Sequence, residues 1–158
     1  EFLYLRARAI GAKTIVEFGT SFGISTIYLA AAVKDNGGGT VIGTELEPTK
    51  RERAIANFRE AELDDVVEIR LGDALETLRD LPEPIDMVLL DGWKDHYLPV
   101  LKLVNRKLRH GSAVRADNVI SFKKSLITYL DYVKSGKNGF QSTTLKMEDG
   151  FEYSVYTG

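Results

Sequence analysis

Acidic residues stand where apolar runs stop. Glu17 lies inside 14–18, Glu45 follows 40–44, Asp73 follows 66–70, Asp91 follows 85–90 and Asp117 follows 112–116. Asp91, Asp117 and Asn118 together offer two carboxylates and an amide oxygen. That hard-oxygen set suits Mg2+ or a similar divalent cation, with water or substrate oxygens completing the shell. The same types also serve as a helix cap (Asp117, Asn118) and a turn residue (Asp91), and spacing alone leaves both readings open. Lys94 lies three residues after Asp91. On a turn or first helical turn that spacing puts both on one side. A lysine beside a divalent cation has its charged form disfavoured and could act as a base, although most lysines are simply solvated. Trp93, the only tryptophan, could stack on a base, wall a pocket or pack in a core. His96 reads as surface at a helix start, with no Ser or Asp spaced for a triad.

The second group is a glycine turn. Gly19 and Gly23 in Gly-Thr-Ser-Phe-Gly give G-x-x-x-G, not the G-x-G-x-x-G of dinucleotide sites. That spacing lets backbone approach a ligand without building a pyrophosphate cradle, which suits a nucleoside with no diphosphate and disfavours a nicotinamide oxidoreductase. Glu45, 22 positions beyond Gly23, would end a second strand, where an acid accepts both hydroxyls of a ribose. A solvated loop acid and a merely permissive turn are the bland alternatives. The two features in register favour a nucleoside.

These residues need a scaffold that brings strand ends together. Strands are predicted over 14–18, 40–44, 66–70, 85–90 and 112–116, and helices over 25–33, 49–61, 74–78, 97–108 and 125–133. Gly111 would end the fourth of these helices. Segments 140–147 and 151–156 flank Glu148-Asp149-Gly150, a hairpin signal. Five βα units followed by a hairpin imply an α/β fold, a Rossmann-like, doubly wound, mostly parallel seven-stranded sheet with an antiparallel C-terminal hairpin. Ligands of such sheets bind outside the carboxyl ends of the strands, where the acids stand.

Composition narrows the classes. The 158 residues suit one domain, 1–158, and 44% apolar content suffices for a core. The absence of cysteine excludes disulfides, zinc–thiolate and iron–sulfur sites and thiol nucleophiles; two histidines exclude a multi-histidine metal centre. A net charge of −2 gives no reason to expect nucleic acid as a partner. The longest apolar run, 27–33, is too short to span a bilayer, and no signal peptide is visible, so a cytoplasmic, membrane-free protein is expected. The chain opens at Glu1 inside a helical pattern, so residues upstream of it are expected.

The stretches Val16-Glu17-Phe18-Gly19-Thr20-Ser21-Phe22-Gly23-Ile24-Ser25, Gly43-Thr44-Glu45-Leu46-Glu47-Pro48, 86–99 and Ala116-Asp117-Asn118-Val119-Ile120 carry a resemblance. The sequence resembles class I S-adenosylmethionine-dependent methyltransferases, and more narrowly the metal-dependent O-methyltransferases of the catechol and caffeoyl-CoA type. Segments 91–99 and 116–120 are its specific part; the glycine turn is shared by many methyltransferases. The resemblance implies that Glu17, Gly19, Ser21 and Ser25, with Gly23 in the same turn, surround the methionine part of the cofactor. It implies Glu45 on the ribose, Leu46 on the adenine, and Gly72, Asp73 and Ala74 bordering it. Asp91, Asp117 and Asn118 would bind Mg2+ or another divalent cation, with Asp91 also at the cofactor. Lys94 would be the base, and Trp93 would flank the cofactor or the pocket mouth.

The implied reaction moves a methyl group from S-adenosylmethionine to a hydroxyl of a small catechol-like or hydroxylated aromatic acceptor. A phenol with pKa ~10 is a poor nucleophile at neutral pH. A cation stabilises its oxyanion, Lys94 takes the proton, and alignment can contribute roughly 7–11 kcal/mol. A hydroxylated tRNA base as acceptor, or cofactor binding without catalysis, are the alternatives, and the family analogy makes a homodimer an option. Three positions depart from the catechol enzyme's pattern. Gly92 replaces a histidine, Thr143 aligns with a substrate-contacting glutamate, and Arg115 is an unusual charge at a strand end.

Overall fold

Strand β4 (Ile85–Leu90) is buried at every position, as a near-continuous apolar run between two helical layers should be. Beside it lie β1 (Thr14–Phe18), β2 (Thr40–Glu45) and β3 (Val67–Leu71) on one flank. On the other are β5 (Leu108–Asp117), β7 (Phe151–Tyr156) and β6 (Phe140–Leu145). The computed structural model, which describes residues 1–147 and 149–158, gives the order β3-β2-β1-β4-β5-β7-β6. Strands β1 to β5 are parallel, and β7 runs antiparallel to both β5 and β6. The chain therefore reverses its winding between β1 and β4, and that switch point opens a crevice at their carboxyl ends.

Helices cover both faces. On one, Leu3 and Ala7 of α1 (Phe2–Ala9) and Leu29, Ala30 and Val33 of α2 (Ile24–Asp35) pack on Ile15, Met87 and Ala113. Next to them α3 (Pro48–Glu60) sets Ala54 and Phe58 against Ile69. On the other face α4 (Ala74–Thr77), α5 (Tyr97–Val104) and α6 (Ile127–Lys134) close over Val88, Leu90, Val114 and Ala116. Among the described residues no helix is long and apolar enough to cross a membrane.

The main departure from the predicted elements is at β5. The helical pattern over 97–108 stops at Val104, one 3-10 turn spans Asn105–Lys107, and the strand begins at Leu108 rather than at 112. Gly111 does not end a helix. It sits at φ +87° inside the strand, where the register jumps from Ile85↔Leu108 to Met87↔Ala113. This is a bulge that only glycine enters cheaply. Ser112 pins it, donating from Oγ to the Ile85 carbonyl at 2.7 Å and accepting from the Arg109 amide at 2.9 Å. Helix α6 starts at Ile127, two residues later than expected, and β6 stops at Leu145, two residues earlier. Glu148 of the expected hairpin turn lies outside the described residues.

The hairpin braces the residues after β5. The Val119 amide donates to the Gly150 carbonyl at 3.0 Å, and the Ile120 amide to Asp149 at 3.1 Å. These bonds hold the backbone just beyond Asp117 and Asn118. The terminal strands thus brace the candidate site residues that follow β5.

Candidate active site

A cavity of about 880 Å3 occupies the crevice. It is lined by Gly19 and Ser21 after β1, Glu45 and Leu46 after β2, Gly72, Asp73 and Ala74 after β3, and Asp91 and Trp93 after β4. Glu45 is held by backbone. Its Oε2 accepts from the Ser21 amide at 2.8 Å, and its Oε1 accepts from the Leu46 and Glu47 amides at 2.8 and 2.9 Å. A carboxylate offers about four lone-pair sites, and these amides occupy three, so acceptor capacity remains for one hydroxyl. Leu46 and Trp93 expose 54% and 72% of their surface at the rim, apolar faces that water does not favour. Asp73 caps α4 by accepting from the Leu75 amide at 2.8 Å, which fixes the turn at the cavity's far end.

The glycines have tertiary causes. A Cβ on Gly19, at φ +94°, would stand 2.7 Å from the Gly92 amide nitrogen, so glycine lets the β1 and β4 loops touch. A Cβ on Gly92 would fall 2.5 Å from the Phe18 ring, which accounts for glycine where the catechol enzyme carries histidine.

Two residues of the expected cofactor turn also have structural roles. Gly23 does not line the cavity: at φ +85° it makes room for the Phe58 ring, which a Cβ would meet at 2.4 Å. Glu17 is fully buried and does not line the cavity either. It accepts from Ser25 Oγ at 2.5 Å, Thr20 Oγ1 at 3.0 Å and Thr26 Oγ1. Burial pushes its carboxyl up from the usual range, and the three hydroxyls pull the other way. Glu17 ties the glycine turn down from beneath.

Ser25 belongs to a second cavity, of about 470 Å3, on the α1–α2 side. Its lining includes Phe2, Tyr28, Leu89, Met147 and Phe151 together with Asp91, Arg115 and Asp117. Asp91 is in the wall of both cavities. Thr143, in the middle of β6, lines neither; Met147 and Phe151 are the residues the hairpin contributes.

At the junction the acids crowd. Burial and the neighbouring Asp117 push Asp91 up to about 6, against the pull of Lys94 and Arg115. Asn118, at φ +60°, turns its Oδ1 to within 2.8 Å of Lys94 Nζ. Among the described residues no three Asp, Glu, His or Cys side chains gather as a metal cluster. The third oxygen here is the Asn118 amide. Two crowded carboxylates and one amide are a donor set that a hard divalent cation fits.

Lys94 opens a 3-10 turn, Lys94–His96, with Nζ 3.9 Å from Asp91 Oδ1. Nζ also donates to the Tyr97 hydroxyl at 2.7 Å and lies 4.8 and 5.4 Å from the centres of the Tyr97 and Phe122 rings. Burial lowers its pKa, while Asp91 and Asp117 oppose the shift. The sequence reading missed Tyr97 as the support for this amine. Its i+3 spacing from Lys94 was a usable signal.

The raised pKa of Asp91 has a stability consequence. Its folded value of about 6 exceeds the unfolded ~3.9, so ionising it costs more in the folded state. Stability is therefore lost as pH rises between these values, and the penalty is full above both. Asp91→Asn is expected to stabilise the ligand-free protein at pH 7.5 by about 1 kcal/mol, a figure discounted because the Asp91 side chain is 37% exposed. The gain should vanish near pH 4. Urea melts at the two pH values measure it, and equal effects at both would reject the crowding of Asp91.

Sequence and structure comparisons place this geometry among known proteins. Residues 16–119 match a methyltransferase domain model. A catechol O-methyltransferase of Mycobacterium tuberculosis is 37% identical over 121 residues, covering 76% of this chain and 54% of that protein. The pig catechol O-methyltransferase is 30% identical over 160 residues, covering 92% of this chain and 83% of that protein. Against several such relatives the chain spans less of their length, 54–59%. The solved O-methyltransferase TomG from Streptomyces achromogenes, in complex with S-adenosylmethionine, superposes with a TM-score of 0.91 at 27% identity, covering 99% of this chain and 78% of that one. Fold, strand-end acids and relatives agree, and the chain belongs to the class I S-adenosylmethionine-dependent methyltransferases, alongside the catechol and caffeoyl-CoA O-methyltransferases.

Proposed function

We propose that the chain methylates a hydroxyl of a small catechol-like acceptor, using S-adenosylmethionine and a divalent cation. The observation that carries this is Asp91 in the wall of two cavities, with Asp117, Asn118 and Lys94 at the same rim. A donor in the larger cavity and an acceptor in the smaller one would meet at that carboxylate. When bound, the cofactor supplies a methyl group activated on a sulfonium, and the cation supplies positive charge that favours an ionised acceptor hydroxyl.

The residues of the chain do the rest. Glu45 accepts from a ribose hydroxyl, and Leu46 and Trp93 offer apolar faces to the adenine. Asp91, Asp117 and Asn118 would hold the cation. Lys94 takes the acceptor's proton. As a neutral amine it has two N–H groups, which Tyr97 Oη and Asn118 Oδ1 can accept, leaving its lone pair free.

Turnover of a plain catechol with S-adenosylmethionine, abolished by chelation and restored by Mg2+ or Mn2+, tests the reading. Turnover unaffected by chelation would reject the cation's part in it. Glu45 gives a separate test of the cofactor half. Glu45→Ala is expected to weaken S-adenosylhomocysteine binding by about 1–3 kcal/mol, the range for hydrogen bonds to a charged group. Calorimetric titration measures this, and unchanged affinity would refute the ribose role.

A further inference from the structure

We propose that the acceptor carries a carboxylate as well as its hydroxyls, and that Arg115 is the residue that selects for it. This rests on the acceptor reading above. Arg115 stands opposite Leu89 and Tyr153 in the sheet, two residues before Asp117, so both side chains leave β5 on the face of the smaller cavity. Its side chain is only 13% exposed. The guanidinium lies 4.4 Å from the centre of the Phe151 ring and 5.8 Å from that of Phe2. These walls are apolar and leave a cation poorly solvated.

The partners of that cation are few. Its one ion pair among the described residues is a long one, from Nη2 to Asp117 Oδ1 at 3.5 Å. Its Nε is buried with no hydrogen-bond partner. Glu1 lines the same cavity but forms no ion pair with Arg115. A guanidinium has five N–H donors in a rigid fork, and the fork's natural complement is a carboxylate bound through two parallel bonds.

Charge balance points the same way. Asp91 and Asp117 together match a divalent cation. The acceptor's proton passes to Lys94, so oxyanion and ammonium together add no net charge. Arg115 is then left as an unmatched positive charge, and its own partner, Asp117, is shared with the cation. One further anion on the acceptor offsets the guanidinium inside a low-dielectric cavity. Phe2, Tyr28 and Phe151 line the same cavity and suit an aromatic ring, so the ligand class is a dihydroxylated aromatic acid.

The test compares 2,3- and 3,4-dihydroxybenzoate with their amides, which keep ring and hydroxyls and remove only the charge. Affinity is measured by calorimetry on the full chain saturated with S-adenosylhomocysteine and Mg2+, and kcat/KM is measured with S-adenosylmethionine. Wild type is expected to prefer at least one acid over its amide by about tenfold or more, as a charge-assisted pair should. Arg115→Met should collapse that ratio towards one, Arg115→Lys should retain part of it, and cofactor-product affinity should stay within about threefold in both. A wild-type ratio near one overturns the proposal without needing any variant, as does a preference that survives Arg115→Met. Loss of S-adenosylhomocysteine affinity in Arg115→Met, without loss of acid preference, assigns the anion to the cofactor's own carboxylate instead. If the amide and plain catechol turn over as well as the acid, the inference falls and the acceptor reading stands. If wild type binds S-adenosylhomocysteine but neither binds nor methylates any of these compounds, the acceptor reading falls and the inference with it.

Discussion

Asp117→Ala is expected to remove cation-dependent turnover, by roughly 10^3-fold or more, while S-adenosylhomocysteine affinity stays within about threefold. The size follows from the several kcal/mol of transition-state charge stabilisation that a metal ion supplies to a developing oxyanion. The selectivity follows from placement. Asp117 lines the smaller cavity and not the larger one, whereas Glu45, Leu46 and Gly72 line the larger and not the smaller. Asp91 lines both, so a change there would blur the two effects. The direct measurement is a Mn2+ titration of the product-saturated protein read by electron paramagnetic resonance, since Mn2+ accepts the same hard oxygen ligands. One bound ion in wild type, lost in Asp117→Ala, is the expected result. Asp117→Asn is the companion variant, because alanine also strips Arg115 of its ion pair at 3.5 Å. If both variants lose cofactor-product and Mn2+ binding equally, Asp117 is acting on the fold and its assignment as a ligand fails.

Much of this arrangement was legible before any coordinates, because it depends on one-dimensional signals. Apolar runs that end in an acid identify strand ends, and an open parallel sheet gathers strand ends on one side. Hence Glu45, Asp73 and Asp91 line one cavity and Asp117 sits at its neighbour. What escaped the sequence has its cause in a residue far away along the chain. Gly23 reads as part of a ligand-hugging turn, and the reason for glycine that the sequence hides is the Phe58 ring beside it. Gly92 looks like a lost histidine until Phe18 is seen filling its place. The family resemblance puts Glu17, one residue before the end of β1, beside the cofactor. Three hydroxyls at Thr20, Ser25 and Thr26 satisfy it in the interior, where an unpaired carboxylate would be costly. Gly111 broke the helix–strand boundary for a similar reason. Leucines at 98, 101 and 108 with Val104 continue a helical rhythm, but Leu108 already belongs to a strand whose bulge the glycine permits.

Lys94→Met is expected to lower kcat by roughly 10^2- to 10^4-fold, the usual contribution of a positioned general base. It should also erase the acid limb of the pH–rate profile. The sign follows from the protonation that proton transfer requires. A base works only when deprotonated, so the wild-type rate should climb with pH as Lys94 sheds its proton. Burial brings that loss to lower pH, and the charges of Asp91 and Asp117 oppose it. Methionine keeps an apolar side chain of similar reach and removes the amine that lies over the Tyr97 and Phe122 rings. Product affinity and the Mn2+ signal should therefore survive. Tyr97→Phe separates position from chemistry: it deletes the hydroxyl that Nζ reaches at 2.7 Å but leaves the amine in place. Its kcat should fall less than that of Lys94→Met, and its acid limb should remain, displaced along the pH axis. An acid limb unchanged in Lys94→Met would mean that another group carries the proton. The amine would then serve only to hold Asn118 Oδ1 beside the two carboxylates.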